Sequence, residues 1–112
     1  REILKKTERF KAHIYFQSKL LRPKSKLNAL ITLKDREFLS AEKLPIKIIL
    51  KELYGRVIKE GVYHTDEYGL VDFSYQFDSE DKTGNYELIV SIGDNQIGRK
   101  ILKVEAFLPP KI

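Results

Sequence analysis

At 112 residues the chain is sized for one domain around a single core, and its 42% hydrophobic and 33% charged residues are the balance of an ordinary globular protein. The absence of cysteine excludes a disulfide scaffold, a thiolate metal site and a cysteine nucleophile, and no apolar run approaches the ~20 residues of a membrane helix, so no direct membrane insertion is expected. The formal net charge of +5 is unevenly placed: nine of the 21 Lys and Arg residues, but only two of the 16 Asp and Glu residues, fall in residues 1–26, which leaves the rest nearly balanced. A nucleic-acid surface interleaves basic and exposed aromatic side chains on one face. Here the aromatics fall on the apolar side of the strand patterns, so a solvated basic segment is expected and no nucleic-acid partner. The chain starts at Arg1 and has no methionine, so an excised piece or a processed product is expected; the lack of a leader then says nothing about compartment.

Residues 1–10 read as a lead-in segment or the stump of a preceding linker, with a helical turn allowed by propensity. Residues 11–112 read as one domain in which a period of two dominates. From Lys11 to Gln17, Ala12, Ile14 and Phe16 oppose Lys11, His13, Tyr15 and Gln17. Leu21-Arg22-Pro23 breaks the pairing, since proline forces its predecessor into an extended conformation. Leu27 to Lys34 is apolar on both faces, as suits a central strand or one beneath a neighbouring domain. A polar connection from Asp35 to Lys43 leads to the strand opening at Leu44-Pro45, where Ile46, Ile48 and Leu50 oppose Lys47, Ile49 and Lys51.

Tyr54-Gly55 closes that strand and lets Arg56 to His64 return beside it. Thr65 to Gly69 is a loop with Gly placed for positive φ. In the next strand Val71, Phe73, Tyr75 and Phe77 point one way and Asp72, Ser74, Gln76 and Asp78 the other. Ser79 to Thr83 is a polar loop. Tyr86, Leu88, Val90 and Ile92 then oppose Glu87, Ile89 and Ser91, and Gly93-Asp94-Asn95 makes a short hairpin connection. On the last strand Leu102, Val104 and Ala106 are expected inward and Lys103, Glu105 and Phe107 outward, before Pro109-Pro110 ends pairing. About seven strands at this spacing without a convincing helix predict an all-β, immunoglobulin-like antiparallel sandwich.

Four motifs recur in order: Leu21-Arg22-Pro23, Thr65-Asp66-Glu67-Tyr68-Gly69, Thr83-Gly84-Asn85-Tyr86, and Val104-Glu105-Ala106-Phe107-Leu108-Pro109-Pro110. Over residues 11–112 this resembles a macroglobulin-like (MG) domain of the bacterial alpha-2-macroglobulin family. One departure stands out. The family pattern resembles Arg-Pro-Gly-Glu where this chain has Arg22-Pro23-Lys24-Ser25, so a different turn type is expected there. The family's reactive thioester, a Cys and a Gln in a Cys-Gly-Glu-Gln-like motif, has no counterpart, because there is no Cys, and nothing resembles a long protease-cleaved bait segment.

Little else points to chemistry. His13 and His64 stand on separate strands without a second ligand at metal spacing. Asp78-Ser79-Glu80-Asp81 lacks the alternating ladder and Gly of a calcium loop and reads as solvated. No catalytic residue, metal ligand or cofactor is expected. The resemblance implies a non-catalytic structural and interaction domain, monomeric as a fragment, that packs end to end with neighbouring sandwiches of a periplasmic or envelope-associated protease trap. Host or competitor proteases would be partners of the whole protein only. Phe107, Leu108, Pro109 and Pro110 are the candidate inter-domain contact. The alternative is a sandwich module of a surface adhesin or glycan-binding protein, for which an exposed platform of Tyr15, Tyr54, Tyr63 and Tyr68 with adjacent carboxylates is the feature to seek.

Overall fold

The computed structural model describes residues 10–18, 20–35 and 44–106. These hold eight strands: β1 (Phe10–Phe16), β2 (Leu20–Leu21), β3 (Lys26–Asp35), β4 (Pro45–Glu52), β5 (Val57–His64), β6 (Leu70–Gln76), β7 (Gly84–Ile92) and β8 (Asn95–Val104). One sheet has the order β1-β3-β6 and the other β2-β8-β7-β4-β5. No helix occurs among the described residues, and the architecture is the expected immunoglobulin-like sandwich. The additional strand is β2, two residues that pair parallel to β8 through Leu20–Lys103 and Leu21–Val104. Of the lead-in expected over residues 1–10, residues 1–9 lie outside the described residues, as do residues 36–43 of the polar connection, while Phe10 opens β1.

The alternation read from the sequence matches the alternation of burial on β4 and β6, whereas on β7 Glu87 and Ser91, expected outward, are buried as well. Ile46, Ile48 and Leu50 of β4, Val71 and Phe73 of β6, and Tyr86, Leu88 and Val90 of β7 all turn inward and are buried, because successive side chains of a strand leave opposite faces. The two-faced apolar run on β3 has its cause in the topology. This strand is central between β1 and β6; Leu27, Ala29, Ile31 and Leu33 enter the core while Leu30 lies half-buried on the outer face. Tyr86 adds a tie within this core, its hydroxyl donating to the Lys82 carbonyl at 2.5 Å. This is the tyrosine-corner arrangement common in such sandwiches.

Each open side of the sandwich is bridged by a lysine. Lys59 on β5 donates to the Ser74 carbonyl on β6 at 2.9 Å, with its ammonium 5.1 Å from the centre of the Phe73 ring. Lys100 on β8 donates to the Ile14 carbonyl on β1 at 2.9 Å and lies 5.4 Å from the Phe16 ring centre. Both occupy the inward phase of their strands, where the stem packs among aromatics and the charge finds a carbonyl at the edge. Beside Lys100 the two sheets come close: a Cβ on Gly98 would lie 2.8 Å from the Ala12 Cβ and 2.9 Å from its carbonyl oxygen. Glycine at 98 therefore lets β8 meet β1.

The loops follow the chemistry of their residues. Asp66 Oδ1 accepts from the amides of Tyr68 (2.8 Å) and Leu70 (2.9 Å), and Gly69 takes the φ of 77° that closes the turn. Leu33 then donates its amide to the Gly69 carbonyl, tying the loop to β3.

The turn at Arg22–Ser25 has a geometry that favours glycine in its third position. The Ser25 amide bonds the Arg22 carbonyl at 2.9 Å, Pro23 takes the second position, and Lys24 in the third has a φ of 70°. That is a type II turn, with a non-glycine residue at the position requiring positive φ. Lys24 carries the steric cost of ~1–2 kcal/mol for a left-handed residue. Lys24→Gly is accordingly expected to stabilise by ~0.5–1 kcal/mol, the relief being partly offset by the freedom glycine gains when unfolded. A raised denaturant midpoint at constant slope is the result to look for; a lowered midpoint would mean the lysine side chain holds the turn.

Candidate functional site

The strand directions sort the loops onto two ends. Phe10 pairs with Asp35, and that end also carries the Thr65–Gly69 loop and the β7–β8 hairpin. Val104 pairs with Gly84 and Leu21, and Glu52 with Tyr86. The opposite end therefore gathers the Arg22–Ser25 turn, the β4–β5 hairpin around Tyr54, the Asp78–Thr83 loop and the point where β8 ends. The chain enters at one end and leaves at the other.

At the exit, Leu102 and Val104 are buried as expected, while Lys103 and Glu105 face outward and pair at 2.8 Å. Ala106 does not turn inward. The last backbone bond runs from the Glu105 amide to the Leu21 carbonyl at 2.8 Å, the strand ends at Val104, and Ala106, beyond the ladder, is exposed. The candidate contact residues Phe107, Leu108, Pro109 and Pro110 lie outside the described residues.

Beside the exit is a pocket of about 430 Å³ lined by Glu52, Tyr54, Lys82, Thr83, Asn85 and Tyr86, among others. Tyr54 crowns the β4–β5 hairpin at 97% exposure. Glu52 continues the inward phase of Ile46, Ile48 and Leu50, so the register carries a carboxylate to the mouth of the core. Its Oε2 is buried without a hydrogen bond, the Arg56 guanidinium Nε standing 3.5 Å away. Both features were legible: a carboxylate in phase with three aliphatic residues, and an aromatic at a turn apex where polar residues are usual.

The Asp78–Asp81 segment folds upon itself. Asp81 Oδ2 accepts from the Asp78 amide at 2.7 Å, Asp78 Oδ1 from the Ser79 amide at 2.6 Å, and Tyr75 donates to Asp81 at 3.3 Å. Burial, then the Asp81 charge, holds the Tyr75 phenol above its ordinary pKa; burial chiefly does the same for Tyr86. On the outer face of the larger sheet, Lys47 bonds Glu60 at 2.8 Å, which raises the lysine pKa, and Arg99 pairs with the buried Glu87. His13 and His64 are both exposed on separate strands. Among the described residues no three His, Cys, Asp or Glu side chains are grouped to hold a metal ion, and no helix there is long and apolar enough to cross a membrane.

The tyrosines do not build one platform. Tyr15, 53% exposed, lies on the outer face of the small sheet in register with Leu30 and Asp72; Tyr54 and Tyr68 stand at opposite ends. Tyr63 is half-buried, its ring edge-on to Phe73 with centroids 5.7 Å apart. Three exposed tyrosines also correct the expectation that the aromatics keep to the apolar face: β1 turns Tyr15 outward, and Tyr54 and Tyr68 sit on turns.

Comparison with known proteins gives a consistent answer. The model of the MG2 domain family matches residues 11–104. The fold is similar to part of the Salmonella alpha-2-macroglobulin crystallised after reaction with methylamine, with 22% identity, a TM-score of 0.81, and coverage of 92% of this chain and 7% of that one. Similarity to the native E. coli alpha-2-macroglobulin has 25% identity and a TM-score of 0.81, covering 92% of this chain and 6% of that one. The E. coli protein activated by porcine elastase matches at 26% identity and a TM-score of 0.78, covering 89% of this chain and 9% of that one. The chain thus spans less than a tenth of the length of these solved relatives. No curated protein matches it. With the family's model covering nearly the whole sandwich, the chain belongs to the MG2 domain family and is a macroglobulin-like domain of the bacterial alpha-2-macroglobulin kind.

Proposed function

We propose that this domain is a non-catalytic spacer and docking unit in a large extracytoplasmic protein, a protease trap of the alpha-2-macroglobulin kind held in the periplasm or at the cell envelope. The observation that carries the reading is the placement of the chain's entrance and exit at opposite ends of one sandwich. Such a unit sets the distance and direction between the domains on either side of it. The small share of the bacterial alpha-2-macroglobulins that it covers supports the same reading. Phe107 and Leu108, ahead of two prolines that restrict the chain's direction, are the proposed contact with a following sandwich, and proteases are engaged by the whole protein alone.

Two results test this. Phe107→Ala in the parent protein is expected to loosen the junction after this domain, seen as faster limited proteolysis within residues 107–112, with little change in the domain's own melting. Residues 10–112 alone are expected to leave trypsin fully active at stoichiometric ratios, because trapping requires a cage that 112 residues cannot form. Stoichiometric inhibition by the fragment would replace the spacer reading with that of a compact inhibitor.

A further inference from the structure

Independently of the array, we propose that the outer face of the three-stranded sheet binds a neutral saccharide, one sugar ring resting on Tyr15 with its hydroxyls held by Asp72 and by the amides of Gln17 and Asn28. The register builds the site. Tyr15, Leu30 and Asp72 form one row across β1, β3 and β6. Gln17, Asn28 and Ser74 form the row two residues along, where the Gln17 amide donates to the Asn28 carbonyl and so continues the ladder. Between the rows Ala29 and Phe73 turn into the core, so the gap is floored by backbone. The two rows line an open dish of about 410 Å³, within the size range of a small-ligand site.

The lining selects the ligand class. No Lys or Arg belongs to it, and its one charged group is the Asp72 carboxylate, which repels an anion and gives a metal cation only a single charged ligand. Lys100, 6.0 Å from the Tyr15 ring centre, is committed to the Ile14 carbonyl. A sugar ring matches the remainder, because it has an apolar C–H face and a rim of hydroxyls that both donate and accept. Tyr15, 53% exposed, offers an aromatic ring to that face. Asp72 is exposed and makes no hydrogen bond or ion pair with the described residues, so its carboxylate is free to accept from hydroxyls as a charged acceptor. Asn28 Nδ2 donates to Gln17 Oε1 at 2.9 Å. That bond fixes both amides and leaves the Asn28 carbonyl oxygen as an acceptor beside the Gln17 amino group as a donor. Asn28 and Asp72 stand on paired strands rather than on loops, which holds these groups in place before a ligand arrives.

The test titrates the 112-residue chain with cellotriose, chitotriose and maltotriose at millimolar concentration and follows its backbone amides by NMR. Saturable shifts are expected at residues 15–17, 28–30 and 72–74 with at least one of these sugars, and none there with trigalacturonate, whose carboxylates Asp72 repels. Tyr15→Ala and Asp72→Asn are each expected to weaken that sugar about ten-fold, the worth of one stacked ring or one charged hydrogen bond. Tyr54→Ala, at the β4–β5 hairpin, is expected to leave the affinity unchanged. Both Tyr15 and Asp72 are exposed, so the variants fold, and a dispersed spectrum of each verifies it. No shift with any of the three sugars, shifts confined to other surfaces, or equal affinity in Tyr15→Ala and wild type would overturn the site. Equal binding of trigalacturonate would overturn its preference for a neutral ligand. Shifts on this face that follow protein concentration without sugar would make it a contact between copies of the chain instead.

Discussion

Phe73→Ala is expected to lower the unfolding free energy by ~3–5 kcal/mol, whereas Asp72→Ala, one residue away, changes it by no more than ~0.5. Phe73 is 1% exposed. Its ring meets the edge of Tyr63 at 5.7 Å and lies beneath the Lys59 ammonium at 5.1 Å. Truncation removes the transfer free energy of the ring, leaves a cavity between two sheets, and strips Lys59 of its aromatic partner where it bridges β5 to β6. Asp72 points outward beside Leu30 and loses only a solvated carboxylate. Denaturant melts of the two variants give the answer directly: equal costs would mean that the inward and outward faces of β6 are misassigned.

Tyr86→Ala is expected to cost a similar ~3–5 kcal/mol, and Tyr86→Phe ~0.5–1.5, because the second keeps the packed ring and loses only the hydroxyl's bond. The ring is 1% exposed and stands edge-on to Phe77 at 5.1 Å, while the hydroxyl closes onto Lys82. The phenol also gives the domain an alkaline limit. Burial, foremost, and the nearby Asp81 charge raise its folded pKa above the ordinary ~10 of a tyrosine. The stability linked to the neutral phenol is therefore complete below pH ~10 and is lost as pH climbs through the raised folded value. Tyr75 is raised in the same direction, so Tyr86→Phe should flatten part of the alkaline fall in melting temperature and leave the Tyr75 part. An identical alkaline profile for wild type and Tyr86→Phe would show that Tyr86 ionises no less readily in the fold than in the open chain.

Alternation from Ile46 to Leu50 and from Val71 to Phe77 specifies strands and their buried faces by itself, because the two-residue period of an extended chain is a local property. The turns were equally local: Asp66 with Gly69, and Gly93, whose φ of 57° starts the two-residue β7–β8 loop. At Lys24 the local rule pointed elsewhere. A lysine ordinarily avoids positive φ, yet Lys24 has a φ of 70°, since the pairing of β2 with β8 and of β3 with β6 on either side holds the turn's ends. Ala106 shows the same limit. Its phase along the strand is inward, but a strand's phase has meaning only while a partner continues, and pairing ends with Leu21 and Gly84 opposite Val104.

Which strands neighbour one another, and which end receives the exit, depends on contacts between residues far apart in the chain. Lys100 reaching Ile14, Gly98 meeting Ala12, and Glu52 beside Tyr86 have no signature in spacing. The sequence alone determined an all-β domain, its inward faces and its family resemblance, because those rest on period and on turn chemistry. Only the tertiary structure decided that an inward-phased carboxylate, an unpartnered tyrosine and the departing chain share one end, because two sheets had to close over a core before that end existed.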